Sequence, residues 1–252
     1  MNAQTGRSLI AEFIGTFALV FIGAGSIVTN QWTKGAVGLG GIAAAHALVL
    51  AIMISALGHI SGGHFNPAVT FGVWIARRIS ITTAALYWVA QLVGAAVGGL
   101  LLLTVFPSQQ WRPVHLGTPA LGLGIGFGKG VLVEAILTFF LVLAVFGVAI
   151  DTRGSFKAVA GFGIGLVLGF DILVGAPLTG AAMNPARAFG PAFVSGYWQD
   201  GLVYWIGPLI GGAIAAAIYA YLLVPRPGAA ISDDASEPAA PIKPDLVRQP
   251  QR

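Results

Sequence analysis

Long apolar stretches dominate the chain, and their lengths sort them into two kinds. A helix that crosses a bilayer needs about 20 mostly apolar residues. Six stretches meet that need approximately: 9–29, 38–58, 82–105, 129–150, 158–175 and 201–224. Two others, 66–76 and 184–195, are too short to cross. Both begin at the same tripeptide, Asn66-Pro67-Ala68 and Asn184-Pro185-Ala186, with the two asparagines 118 positions apart. Asn is a strong N-cap and Pro is favoured at the first helical position, so each tripeptide predicts a helix start.

The order of the stretches repeats. AEFIGTF (11–17), near the start of the first span, is echoed by VEAILTFF (133–140), near the start of the fourth. Each is followed by two more spans, with an Asn-Pro-Ala segment between the second and third of its half. Three spans per half is an odd number, so the second half must enter from the opposite side, giving an inverted repeat about an axis in the membrane plane. The predicted fold is an all-α membrane protein with six transmembrane helices and two re-entrant half-helices.

Composition agrees. The chain is 56% hydrophobic and 9% charged, with mean hydropathy +0.85, against roughly 25% charged residues in soluble domains. Positive charge sets an orientation with the N-terminus inside. Arg7, Arg77, Arg78, Arg153, Lys157, Arg226, Lys243, Arg248 and Arg252 then face the cytoplasm, while Lys34, Arg112 and Lys129 face outward. This is a positive-inside bias with both termini cytoplasmic. No basic run interleaves with aromatics, so no nucleic-acid partner is expected. With no cysteine, disulfides, thiolate metal sites and thiol catalysis are excluded, and insensitivity to mercurials is expected. No nucleophile–base pair or metal-ligand cluster stands out, so neither enzymatic activity nor a cofactor is expected. No cleavable signal is expected either: Thr5 to Ser8 leads into the first span. The stretch 226–252 is rich in Pro, Ala, Asp and Gln and is expected to be a disordered cytoplasmic tail.

Inversion sends the two half-helices in from opposite faces, so that their N-termini meet near the midplane. Non-helical backbone at that depth is tolerated only where it is buried or lines a wet cavity, and residues 59–65 and 176–183 are expected to be such backbone. Gly62, Gly63 and Gly180 allow it tight conformations. The carbonyls of Gly62, Gly63, His64, Phe65, Gly180, Ala182 and Met183 are expected to form a ladder of acceptors along the passage. Each Asn oxygen would hold its own cap and leave the amide NH2 as a donor. Two positive helix ends, each worth roughly half a charge, would repel cations there, including a hopping proton, and let neutral molecules pass. Glu12 and Glu134 sit in apolar spans at matched positions. Each is expected to accept hydrogen bonds from the irregular backbone of its own half, since unsatisfied groups in the bilayer core cost several kcal/mol. A secondary transporter is the rival class, because inverted repeats and broken helices occur there too. Coupled transport wants titratable or ion-binding groups at the midplane, where this chain has two neutral asparagines.

SGGHFNPAVT (61–70), MNPARAFGPA (183–192), AEFIGTF and the six-span plan resemble the aquaporin (major intrinsic protein) family over residues 9–224. The resemblance implies an hourglass pore in each subunit, a homotetramer and a channel domain at 1–225, with half-repeats at about 1–115 and 125–225. Carried over by spacing from the motifs, it implies a selectivity filter of His46, Ile172, Ala181 and Arg187, with Arg187 a fixed donor and cation barrier. Strict water channels of the family place an aromatic first and a His second. His46 and Ile172 depart from that pattern and imply a wider opening with one apolar wall, similar to the plant tonoplast and ammonia-permeable animal branches. Ala188 follows Arg187 where glycerol facilitators carry Asp, so glycerol specialism is not expected. The expected function is passive conduction of water and small neutral solutes, ammonia included, with protons and ions excluded. Urea, hydrogen peroxide and some glycerol remain alternative solutes, and the expected location is the plasma (inner) membrane. For the other polar residues, Asp171 is expected to bond the loop at 176–183 and His64 to brace its own loop. His59 is placed at the cytoplasmic mouth and His115 at the surface of the 106–128 connection.

Overall fold

The computed structural model describes residues 3–153 and 157–224; the expected tail at 226–252 lies outside them. Among the described residues six helices are long and apolar enough to cross a membrane. They are α1 (Ala3–Trp32), α2 (Gly38–Ser61), α4 (Ile81–Val105), α5 (Phe127–Ile150), α6 (Ala160–Thr179) and α8 (Val203–Leu223). Between them lie two short helices, α3 (Pro67–Ile75) and α7 (Pro185–Ser195). Each short helix opens as its sequence predicts. The Asn66 side chain accepts from the Ala68 N–H at 2.8 Å, and that of Asn184 from Ala186 and Arg187 at 3.0 and 3.2 Å, with Pro next in each case.

Three boundaries differ from expectation. α1 begins at Ala3, so the polar stretch Thr5 to Ser8 is helical. α2 continues to Ser61 and α6 to Thr179. The irregular backbone is therefore shorter than 59–65 and 176–183. Both helices are stopped by a left-handed glycine, Gly62 (φ 96°) and Gly180 (φ 80°), whose N–H caps Gly58 and Ala176 carbonyls at 2.8 and 2.9 Å. Pro177 fits inside the last turn of α6 without ending it.

The packing has the symmetry of the repeat. Within the first half α1 packs on α2 and α4; within the second, α5 packs on α6 and α8. The halves then interlock: α2 lies against α6, α3 against α8 and α7 against α4. Lipid tails supply no hydrophobic drive between helices, so close backbone approach carries the packing. A methyl on Gly165 would strike the Ala47 carbonyl in α2, and one on Gly211 the Ala135 carbonyl in α5. Large apolar side chains such as Ile10, Leu132, Leu166 and Leu222 point outward instead, as a surface facing lipid requires.

Candidate functional site: the midplane passage

The two irregular segments are near copies. Gly62 and Gly63 are left-handed, as are Gly180 and Ala181 at the matching positions, and Phe65 (φ 47°) matches Met183 (φ 50°). For Phe65, Ala181 and Met183 this conformation costs on the order of 1–3 kcal/mol each, so something must hold them. Glu12 and Glu134 do, both fully buried. Glu12 Oε1 accepts from Ser61 Oγ (2.6 Å) and the His64 N–H (2.9 Å), and Oε2 from the Phe65 N–H (2.7 Å) and Gln91 Nε2 (2.7 Å). Glu134 Oε1 accepts from Thr179 Oγ1 (2.6 Å) and the Ala182 N–H (3.0 Å), and Oε2 from the Met183 N–H (2.7 Å). A tyrosine closes each set: Tyr87 Oη donates to the Ser61 carbonyl at 2.7 Å and Tyr204 Oη to that of Thr179 at 2.8 Å.

At the centre the two asparagines cross. Asn66 Nδ2 donates to the Met183 carbonyl at 2.9 Å, and Asn184 Nδ2 to the Phe65 carbonyl at 2.8 Å. An amide NH2 carries two hydrogens. One from each asparagine therefore locks the opposite loop, leaving a single N–H rather than the whole NH2 for a passing molecule. The same bonds occupy one of the two lone pairs on two carbonyls of the expected acceptor ladder. Phe65 and Met183 have their carbonyls bound by the opposite asparagine, and neither side chain borders the passage, whereas Gly63, His64, Ala181 and Ala182 do. Gly62 opens with His59 onto a separate vestibule, and Gly180 packs on Pro119.

His46 and Arg187 both border the passage. His46 Nδ1 lies 2.9 Å from the Ile42 carbonyl. A carbonyl can only accept, so Nδ1 carries the proton and a neutral ring presents Nε2 as an acceptor. That Nε2 is 3.5 Å from Arg187 Nη2. Arg187 Nη1 donates to the Gly117 carbonyl at 2.9 Å, while its Nε has no partner among the described residues. Gly117 is held in place by three successive left-handed residues, His115, Leu116 and Gly117. Its part at this wall left no signal in the sequence. Ala181 borders the passage; Ile172 is buried and belongs to the same apolar cluster as Leu168 and Ala181. Apolar side chains fill the rest of the wall in repeat-related pairs, Leu19 with Leu141 and Leu50 with Leu168. These pairs were missed because one Leu in an apolar run looks like any other.

Among the remaining polar groups, His64 braces its loop through Nδ1 and Thr70 Oγ1, 3.1 Å apart, and an edge contact with Tyr87. His115 is half-buried rather than at the surface, stacked on Tyr197 with ring centroids 3.8 Å apart. Asp171 is buried, and its Oδ2 has no hydrogen-bond partner among the described residues, so the bond expected from it to the 176–183 loop is not formed there. Among the described residues no cluster of His, Cys, Asp or Glu could hold a metal ion.

Six spans around a narrow passage, with uncharged amides at its centre and one arginine in its wall, define a membrane channel for small solutes. The chain belongs to the major intrinsic protein family, whose family model matches residues 1–219. It is 46% identical over 235 residues to Aquaporin TIP4-4 of Zea mays, covering 90% of each chain. It is also 46% identical over 231 residues to Aquaporin TIP4-1 of Arabidopsis thaliana, again covering 90% of each. Among solved structures it is similar to the aquaglyceroporin from Plasmodium falciparum, with TM-score 0.77 and 26% identity over 87% of this chain and 97% of that one. The protein is thus an integral, multi-pass, non-enzymatic channel for water and small solutes. Its TIP-type plant relatives lend no support to the plasma (inner) membrane as its location.

Proposed function

We propose that the channel conducts water and small neutral solutes, ammonia among them, and excludes protons and ions. The crossed asparagines carry this reading. Each N–H left over donates toward the middle of the file, and the positive ends of α3 and α7 converge behind them. A molecule at the midplane is therefore oriented as an acceptor toward both halves, which interrupts proton hopping and repels cations. His46 Nε2 as acceptor and Arg187 as donor form the polar half of the filter. Ala181 and Ile172 form the apolar half. An uncharged amine meets there both an acceptor for its N–H and a donor for its lone pair. In this reading Asn66, Pro67, Ala68, Asn184, Pro185 and Ala186 build the central barrier, and residues 1–225 act as one channel domain. Copies assemble as a homotetramer through their outward apolar faces, and both termini face the cytoplasm.

Stopped-flow light scattering of proteoliposomes tests the reading with water, methylamine, urea and glycerol as permeants. Fast, non-saturable water flux with measurable methylamine flux and no electrical current is the expected result. Saturable or gradient-coupled uptake would favour the transporter, and a current accompanying water flux would remove the barrier role of the asparagines.

A further inference from the structure

Gly23 lies in α1, within the stretch Leu19–Ala24 where the helix widens to π geometry, and is itself buried. A methyl built on its Cα would sit 2.6 Å from both Cδ2 and Nε2 of His46 and 3.1 Å from Cε1. Carbon atoms do not approach that closely, so the imidazole would have to move. Its Nδ1 is tied to Ile42 at 2.9 Å, and its Nε2 stands 3.5 Å from Arg187 Nη2. With Nδ1 pinned and the clash falling on Cδ2 and Nε2, the displacement falls on the edge of the ring that stands beside Arg187.

Nothing in the backbone calls for glycine at this position. Gly23 is not among the left-handed residues, and the inverted repeat supplies a comparison inside the same chain. Gly23 stands 11 positions after Glu12, and Val145 stands 11 after Glu134. His46 stands 20 positions before Asn66, and Ile164 stands 20 before Asn184. Val145 and Ile164 both border the passage, and Val145 also opens a π-helical stretch, Val145–Ile150. Where the facing residue is Ile, this place in the first helix of the half carries a full branched side chain. Where the facing residue is an imidazole, it carries none. The matched place in the second half therefore tolerates a side chain, and the need for glycine at 23 traces to the His46 contact.

We propose that Gly23 is a positioning residue that sets the bore of the filter: its missing side chain is the seat of the His46 ring, and that seat fixes which uncharged solutes fit beside Arg187. The proposal rests on the reading of His46 and Arg187 as the filter. The test compares the full chain with Gly23→Ala, His46→Ala and the double variant in proteoliposomes, following water, methylamine and urea by stopped-flow scattering. Gly23→Ala is expected to lower the methylamine-to-water and urea-to-water permeability ratios by about tenfold, the scale of discrimination one methyl provides in a fitted pocket. In the His46→Ala background the same methyl has no ring to displace and should leave both ratios unchanged. An equal loss in both backgrounds would mean that the methyl distorts α1, and unchanged ratios in Gly23→Ala would mean that the ring has room to spare; either overturns the proposal. If His46→Ala alone leaves every ratio at the wild-type value, the filter reading fails, which is a distinct result. Should Gly23→Ala fail to fold, recovery of folded protein in the double variant upholds the seating contact, and failure of both variants overturns it.

Discussion

Single side chains divide here into those that face the file and those that hold them. Arg187 belongs to the first group. Its guanidinium donates to the Gly117 carbonyl at 2.9 Å and stands 3.5 Å from His46 Nε2, and its Nε has no partner among the described residues. Arg187→Val should widen the filter and remove its fixed charge. Urea and methylamine flux in liposome swelling is expected to rise several-fold, and unchanged selectivity would count against the filter role. Glu134 belongs to the second group. Glu134→Gln exchanges one acceptor oxygen for an amide donor in a site where every neighbour is itself a donor. The mismatch should cost at least about 1–3 kcal/mol, read as a lower unfolding temperature in detergent, with Glu12→Gln behaving alike.

Helices meet through backbone as much as through side chains. A branched side chain at 211 has no room against the Ala135 carbonyl, so Gly211→Val should part α5 from α8 and reduce the monodisperse fraction in size-exclusion chromatography. The end of α5 is tied to the end of α8 by polar contacts. Asp151 bonds Arg153 Nη2 at 2.5 Å, Tyr219 Oη donates to Asp151 Oδ2 at 2.9 Å, and Arg153 Nη2 also reaches the Leu223 carbonyl at 3.3 Å. The Arg153 guanidinium holds the Asp151 carboxyl well below the usual carboxylate range. A depressed carboxylate stabilises the folded state above its unfolded value and loses that contribution only as pH falls through the folded one. The tie should therefore persist through neutral and mildly acid pH. Asp151→Asn should increase limited proteolysis at the end of α5 at pH 7, and the difference from wild type should shrink only in strong acid.

For the whole molecule the absence of cysteine makes topology directly testable. A single cysteine at Thr33, between α1 and α2, should react with an impermeant maleimide on intact cells. One at Thr152, after α5, should react only after permeabilisation; the reverse pattern would invert the orientation drawn from the positive charges. The unaltered chain should keep its water permeability in mercurials, measured by the same stopped-flow assay.

Periodic apolar length, two Asn-Pro-Ala starts and paired glutamates were enough to fix the six spans, the two half-helices and the inversion between halves. Those features act locally: a 20-residue apolar run has to be helical in a bilayer, and an Asn-Pro pair caps a helix wherever it stands. The cross-bonding of Asn66 to Met183 and Asn184 to Phe65 joins residues 117 and 119 positions apart, and no local rule contains it. Nor does any local rule bring Gly117 to Arg187 or leave Asp171 Oδ2 without a partner. The same is true of the glycine behind His46, which reads in the sequence as one more small residue in an apolar helix. Its meaning appears only when folding brings the His46 ring within 2.6 Å of where a methyl would stand, because steric fit belongs to the packed pair and not to either residue alone.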